Sequence, residues 1–179
     1  MIKTTFLRSF AVIALFITTL AHAQLRVEIA GVGANQIPVA IAAFGDETLA
    51  PQQISAIVKA DLQRSGFFKI IDTGGVLTEN SQLNLADWKS RGADAIVVGS
   101  VSRLADGRFE VRYRLFDTVK GTQLSSLALA SQPQFLRVSA HKVADDVYEK
   151  LTGIKGAFAT RIAYVTKSGK EFRLSLIHI

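Results

Sequence analysis

The chain contains no cysteine. That absence excludes disulfides, thiolate zinc sites, cysteine nucleophiles and lipidation of a mature N-terminal cysteine together. Histidine is scarce, at three residues. His22 falls in the first 23 residues and His178 in the last six, so His141 alone belongs to the body of the chain. A single histidine cannot build a multi-histidine metal site. Nor is there an excess of positive charge where a folded domain would carry it. The net charge is +6, but residues 24–149 hold 13 basic and 14 acidic side chains, and the surplus sits in residues 1–23 and 150–179. With no basic field to hold a phosphate backbone, no nucleic-acid binding is expected. What is present is 179 residues, 49% apolar and 20% charged. That is enough for one packed domain, and it argues against disorder.

The first 23 residues read as an address. Lys3 and Arg8 form a positive start, and Phe10 to Leu20 is an uncharged apolar run of 11 residues. Ala21-His22-Ala23 places small residues at both recognition positions of a cleavage site, so a cut between Ala23 and Gln24 is expected. The alternative is an uncleaved anchor, but a spanning helix needs about 20 apolar residues. No later run is long enough to span either, so the mature chain should have no membrane segment.

Beyond Gln24, Leu25, Val27 and Ile29 alternate with Arg26 and Glu28, which describes a short strand with one apolar face. Gly31-Val32-Gly33-Ala34-Asn35 then breaks it. This strand is suited either to adding onto a partner's sheet edge or to serving as the domain's own first strand. Ile37 to Phe44 is a continuous apolar run, as in a buried strand. Pro51 suits the first turn of a helix, and Ile54, Ile57, Val58 and Leu62 follow at helical spacing. Ser65-Gly66 ends that helix, and Phe67 to Ile71 returns as a strand. Thr73 to Asn84 reads as a loop and Leu85 to Arg91 as a short helix. Asp94 to Val101 is a second buried strand. Phe109, Val111, Tyr113 and Leu115 alternate with charged residues after the hairpin signal Asp106-Gly107. Another strand runs from Thr122 to Ala130. A helix over about Gln134 to Leu151 carries the stripe Leu136, Ala140, Val143, Val147 and Leu151, and Gly153 closes it. These elements predict an α/β (α+β) fold: a mixed β-sheet packed by helices.

The search for chemistry returns little. His141 reads as a surface or boundary residue. No G-x-S-x-G elbow supports a Ser-His-Asp arrangement. Gly31-Val32-Gly33 fails as a dinucleotide fingerprint, because Gln36 stands at the third glycine position and a strand follows. Ser168-Gly169-Lys170 fails as a phosphate loop, because Tyr164 stands at its first glycine. Asp145, Asp146 and Glu149 read as the solvated outer side of a helix, and Asp72, Asp94 and Asp117 as turn or cap residues at strand ends. No catalytic, cofactor-binding or metal-binding residue is assigned. The expectation is a non-enzymatic binding protein, with an α/β small-ligand-binding protein or hydrolase as the alternative.

Four stretches carry a family resemblance: EKLTGIKGAFATRIAYVT at 149–166, IVKADLQRSGFFKIID at 57–72, ADAIVVGSV at 93–101, and the mature start LRVEIAGVG. They resemble the TolB family over nearly the whole mature chain to about Glu171. The resemblance implies a periplasmic component of the Tol-Pal system, which supports outer-membrane integrity and invagination during cell division. It implies an N-terminal α/β domain over residues 34–153, a connector over 154–160, and the first hairpin of a six-bladed β-propeller over 161–173. By position, Gln24, Leu25, Arg26, Val27, Glu28, Ile29, Ala30, Gly31 and Val32 correspond to the segment that engages the C-terminal domain of TolA. The lipoprotein Pal binds the propeller in that family, so Pal binding is not expected of residues 1–179. A monomer is expected. Leu174 to Ile179 (LSLIHI) matches what a common transposon-based sequencing adapter encodes in one frame and reads as adapter read-through, the alternative being a genuine apolar C-terminus.

Overall fold

The structure is a computed structural model that describes residues 35–178. The expected signal peptide, Ala23 with its cleavage site, and the segment Gln24 to Gly33 lie outside the described residues.

Among the described residues, twelve elements follow in order. They are β1 (Ile37–Ile41), a 3-10 turn (Glu47–Leu49), α1 (Ile54–Arg64), β2 (Phe68–Ile71), α2 (Leu85–Ser90), β3 (Ala95–Arg103), β4 (Phe109–Asp117), β5 (Thr122–Ser131), a second 3-10 turn (Pro133–Phe135), α3 (Leu136–Thr152), β6 (Arg161–Ser168) and β7 (Glu171–His178). The first five strands form one sheet in the order β2-β1-β3-β4-β5. β1 is parallel to β2 and β3, with Val39 opposite both Ile70 and Ala95. β3, β4 and β5 are an antiparallel meander, with Gly99 opposite Tyr113 and Tyr113 opposite Leu127. The expected mixed sheet is present.

Burial follows the two-residue period of the strands. Val39, Ile41, Val97, Val101, Val111, Tyr113 and Leu115 face α1 and α3 and meet Ile54, Val58, Leu62, Leu136, Ala140, Val143 and Val147. Ala40, Ala42, Ile96 and Val98 point the other way, into a smaller cluster with Trp88 and Ala93. Hence β1 and the first half of β3, Ala95 to Gly99, carry no polar side chain, because both of their faces are covered there. β4 alternates because its second face, at Arg112 and its neighbours, stays open. At Gly99 an added Cβ would stand 2.5 Å from the Arg112 carbonyl oxygen and 2.8 Å from the Phe44 ring. Phe44 can cross β3 there only because that side chain is missing.

Two expected boundaries shift. The regular strand from Ile37 ends at Ile41, and α1 starts at Ile54 instead of at Pro51. Past Ile41 the chain still follows β3 as far as a parallel bridge between Gly45 and Ser100, and the 3-10 turn at Glu47 comes next. The Glu47 carboxylate accepts the Phe44 amide at 3.3 Å, the Ser55 amide at 2.9 Å and the Ser55 hydroxyl at 2.6 Å. Gln53, at the N-cap position, makes no side-chain cap of its own. Glu47 supplies an acceptor for a first-turn amide of α1 from outside the helix, where carboxylates are favoured.

β6 and β7 pair with each other as a separate two-stranded sheet, from Arg161 opposite His178 to Ser168 opposite Glu171. Every residue of β6 is exposed. Phe172 and Leu174 on β7 are 68% and 72% exposed.

Candidate interaction surfaces

The residues Gln24 to Val32 that the sequence singles out as partner-binding are outside the described structure. What is described is the frame they lead into. Asn35 and Gln36 enter β1, which lies inside the sheet between β2 and β3. The Gln36 side-chain amide donates to the Gly66 carbonyl at 3.1 Å, and the Ile37 amide to the Phe67 carbonyl at 2.8 Å. The segment therefore feeds into a strand that is fixed on both sides.

His141 is not a surface residue. It is 1% exposed, and its Nδ1 lies 2.5 Å from Oδ2 of Asp61, itself 2% exposed. Arg64, exposed one turn on, pairs with the other Asp61 oxygen at 2.5 Å. The pair joins α3 to α1. α3 rests on both the sheet and α1, so its buried arc is wide: Ser139, His141 and Ala144 are covered along with the expected stripe. A signal for this exists in the sequence. Asp61 falls on the apolar face of α1, three residues after Val58 and seven after Ile54, and a carboxylate there requires a buried partner. The pair holds two of the three groups of a hydrolytic triad, yet at this burial neither side chain can meet a substrate.

The aspartates of α3 are likewise committed, contrary to the solvated reading. Asp146 accepts the hydroxyl of Tyr113, which is fully buried and also lies 3.3 Å from the Ser125 hydroxyl. Burial, and then the hydrogen bond to Asp146, push the Tyr113 phenol well above its ordinary pKa. Asp145 accepts the amides of Phe158 at 2.6 Å and Ala159 at 3.0 Å. Glu149 remains exposed, as expected. Asp72 and Asp117 are turn residues as expected, accepting the amides of Gly74 and of Val119 and Lys120.

The stretch 154–160, expected as a connector, is fastened down. Besides the two amides on Asp145, an added Cβ at Gly156 would stand 2.5 Å from the Asp145 Cα. The Tyr148 ring meets Phe67, Phe68 and Phe158 edge-on, each at 5.7 Å. The direction in which the chain leaves toward β6 is set by α3.

Among the described residues, hollows open on both faces of the sheet. One of about 570 Å³ lies between β5 and the start of α3, lined by Leu129, Ser131, Phe135, Val138, Lys142 and Arg108 among others. The second, about 400 Å³, lies on the opposite face by Glu79, Asn80, Arg112 and Arg114. Arg114 is fully engaged there, donating to the Gln123 side chain at 2.7 Å and the Glu79 carbonyl at 3.0 Å, above the Phe116 ring. Among the described residues no group of three or more histidine, aspartate or glutamate side chains could hold a metal ion. Among the same residues, no helix is long and apolar enough to cross a membrane.

Comparison with known proteins accounts for this frame. Residues 25–124 match the TolB amino-terminal domain family. The Tol-Pal system protein TolB of Polaromonas naphthalenivorans is 56% identical over 155 residues, 86% of this chain and 36% of that protein. TolB of Dechloromonas aromatica is 48% identical over 170 residues, 94% of this chain and 40% of that protein. The crystal structure of TolB from Acinetobacter baumannii superposes with a TM-score of 0.67 at 32% identity, covering 83% of this chain and 37% of that one. The chain thus spans somewhat more than a third of the length of the relatives it matches.

Proposed function

Since this chain belongs to the TolB family and carries its amino-terminal domain, we propose that it acts as a non-enzymatic periplasmic component of the Tol-Pal system. In this reading it supports outer-membrane integrity and invagination during division by binding other proteins. It docks the C-terminal domain of TolA through Gln24 to Val32, after cleavage behind Ala23. The observation that carries the reading is the start of the family match at Leu25. The short amphipathic segment belongs to the family's own sequence pattern and is not a leader in front of it. Its alternation suits addition to a partner's sheet edge. The burial of the Asp61–His141 pair favours this reading over a hydrolase.

Deleting Gln24 to Val32 is expected to abolish binding to the TolA C-terminal domain while the circular dichroism of the fold stays unchanged. Unchanged affinity after that deletion would overturn the assignment.

A further inference from the structure

Asp106 is the one aspartate of the chain that glycine follows, and no asparagine has glycine after it. The pair lies at the apex of the β3–β4 hairpin. The peptide nitrogen after an aspartate can attack the side-chain carboxyl and close a five-membered ring. A side chain on the following residue hinders that attack, and glycine has none. The approach is open here: an added Cβ at Gly107 would meet nothing within 4 Å. The Asp106 side chain is 51% exposed. The turn nevertheless commits both reacting groups. The Gly107 amide donates to the Leu104 carbonyl at 3.0 Å, and the Leu104 amide to the Arg108 carbonyl at 2.8 Å. One oxygen of Asp106 accepts the Arg108 amide at 3.0 Å, and the other accepts Arg108 Nε at 2.7 Å. These bonds, the backbone one first and the side-chain one next, hold the Asp106 carboxyl below the usual carboxylate range. Ring closure expels water, so the carboxyl must carry a proton to lose its hydroxyl. Arg108 is the charged side chain that acts on Asp106 among the described residues.

We propose that the Asp106–Gly107 peptide is a site of spontaneous isoaspartate formation and that Arg108 restrains it. In the first step a bond forms from the Gly107 nitrogen to Asp106 Cγ. The Cγ–OH bond breaks, and the amide proton leaves with the hydroxyl as water. Water then opens the ring at either carbonyl. Opening at the original main-chain carbonyl leaves the peptide running through Cβ and Cγ of residue 106. The water lost is regained, so the mass is unchanged and no oxidant or cofactor takes part. The product carries one more carbon in its main chain, within a turn that two backbone hydrogen bonds close. The pairing of Leu104 with Arg108 should not survive that insertion. This chemistry is independent of the docking role proposed for Gln24 to Val32.

The test is to age the native chain and Arg108→Ala side by side at neutral pH and map both by tryptic digestion. Trypsin releases Leu104 to Arg108 from the native chain and Leu104 to Arg112 from the variant. The isoaspartyl form of each peptide separates from the aspartyl form at equal mass. Isoaspartate is expected at residue 106 in both folded chains, accumulating several-fold faster in the variant. In urea-unfolded chains the two rates should coincide. The folded ratio should also shrink from about pH 7 to about pH 4, where the carboxyl of either chain gains its proton. No isoaspartate at residue 106 in either folded chain would overturn the site. Equal rates in the folded chains, or a variant that stays faster in urea, would overturn the role of Arg108. So would a ratio that is the same at both pH values, since the substitution would then merely have loosened the turn.

Discussion

At the scale of single residues, the buried polar groups yield the sharpest consequences. Tyr113 keeps its proton in the folded state far above the ordinary phenol range, because burial and then the Asp146 carboxylate oppose its ionisation. A raised folded pKa means a contribution fully present below about pH 10, the unfolded value, and lost as pH rises beyond it. Above that point the unfolded chain has released a proton that the folded chain retains. Unfolding free energy should therefore fall by about 1.4 kcal/mol per pH unit from this group alone. Urea titrations of the native chain and of Tyr113→Phe should diverge by about 1.4 kcal/mol in total between pH 9 and 11, half the limiting slope because the unfolded phenol titrates across that range, and parallel curves would refute it. The Asp61–His141 pair makes a different claim. His141→Leu leaves a buried carboxylate whose remaining ion partner, Arg64, is exposed, and should cost about 3 kcal/mol or more. Changing Asp61 to Leu as well should recover much of that loss, since no uncompensated charge then stays buried. A double variant no more stable than the single one would show that packing, not charge, sets the cost. At Gly99 the added methyl of alanine meets the backbone oxygen of Arg112 at 2.5 Å. Gly99→Ala should therefore lose about 1–3 kcal/mol in the same assay, as overpacking does.

At the scale of elements, what the sequence discloses depends on how many neighbours an element has. β4 has one covered face, so its period of two marks Phe109, Val111, Tyr113 and Leu115 as buried, and they are. β1 and the first half of β3, covered on both faces, show as unbroken apolar runs. The short helices and the turns at Gly66, Gly107 and Gly121 fall where their glycines place them, each with positive φ. The signals weaken where a contact crosses between elements distant in sequence. The cap that Glu47 gives α1 spans eight residues, and the Asp61–His141 link spans eighty. Local pattern marks Asp61 as needing a buried partner but does not point to His141, and it marks nothing of the Glu47 cap, so Pro51 looks like a helix start and His141 like a boundary residue. Asp145 is the third such case. Its neighbours suggest a solvated face, yet it holds the connector through two backbone amides. Losing those acceptors should cost about 1–3 kcal/mol locally. Asp145→Ala should therefore open a new site of limited proteolysis between Gly153 and Thr160 while β3 and β4 stay protected. A cleavage pattern identical to that of the native chain would show that the connector is held by Phe158 and Tyr148 alone.

At the scale of the molecule, the described residues divide into a five-stranded sheet packed by helices and a hairpin with no covered face. The class of the main sheet is legible in advance, because crossover and hairpin signals both occur and only a mixed sheet accommodates both. The pairing of β6 with β7 is equally local. What they pack against cannot be read from either, since Ile162, Val165, Phe172 and Leu174 remain exposed. A lone two-stranded hairpin is marginal in water, so β6 and β7 should add little to the stability of the five-stranded sheet and much to its tendency to associate. Removing residues 161–179 should leave the midpoint of thermal unfolding within about 3 °C, which for a domain of this size corresponds to less than about 1 kcal/mol. It should also lower light scattering at high concentration. A fall of ten degrees or more would mean that the hairpin braces the domain through Arg161 and the connector, and that the two sheets unfold as one unit. If stability holds while scattering drops, the exposed face is surface that natively awaits a cover, and the domain of α1, α3 and the five strands is the independent folding unit.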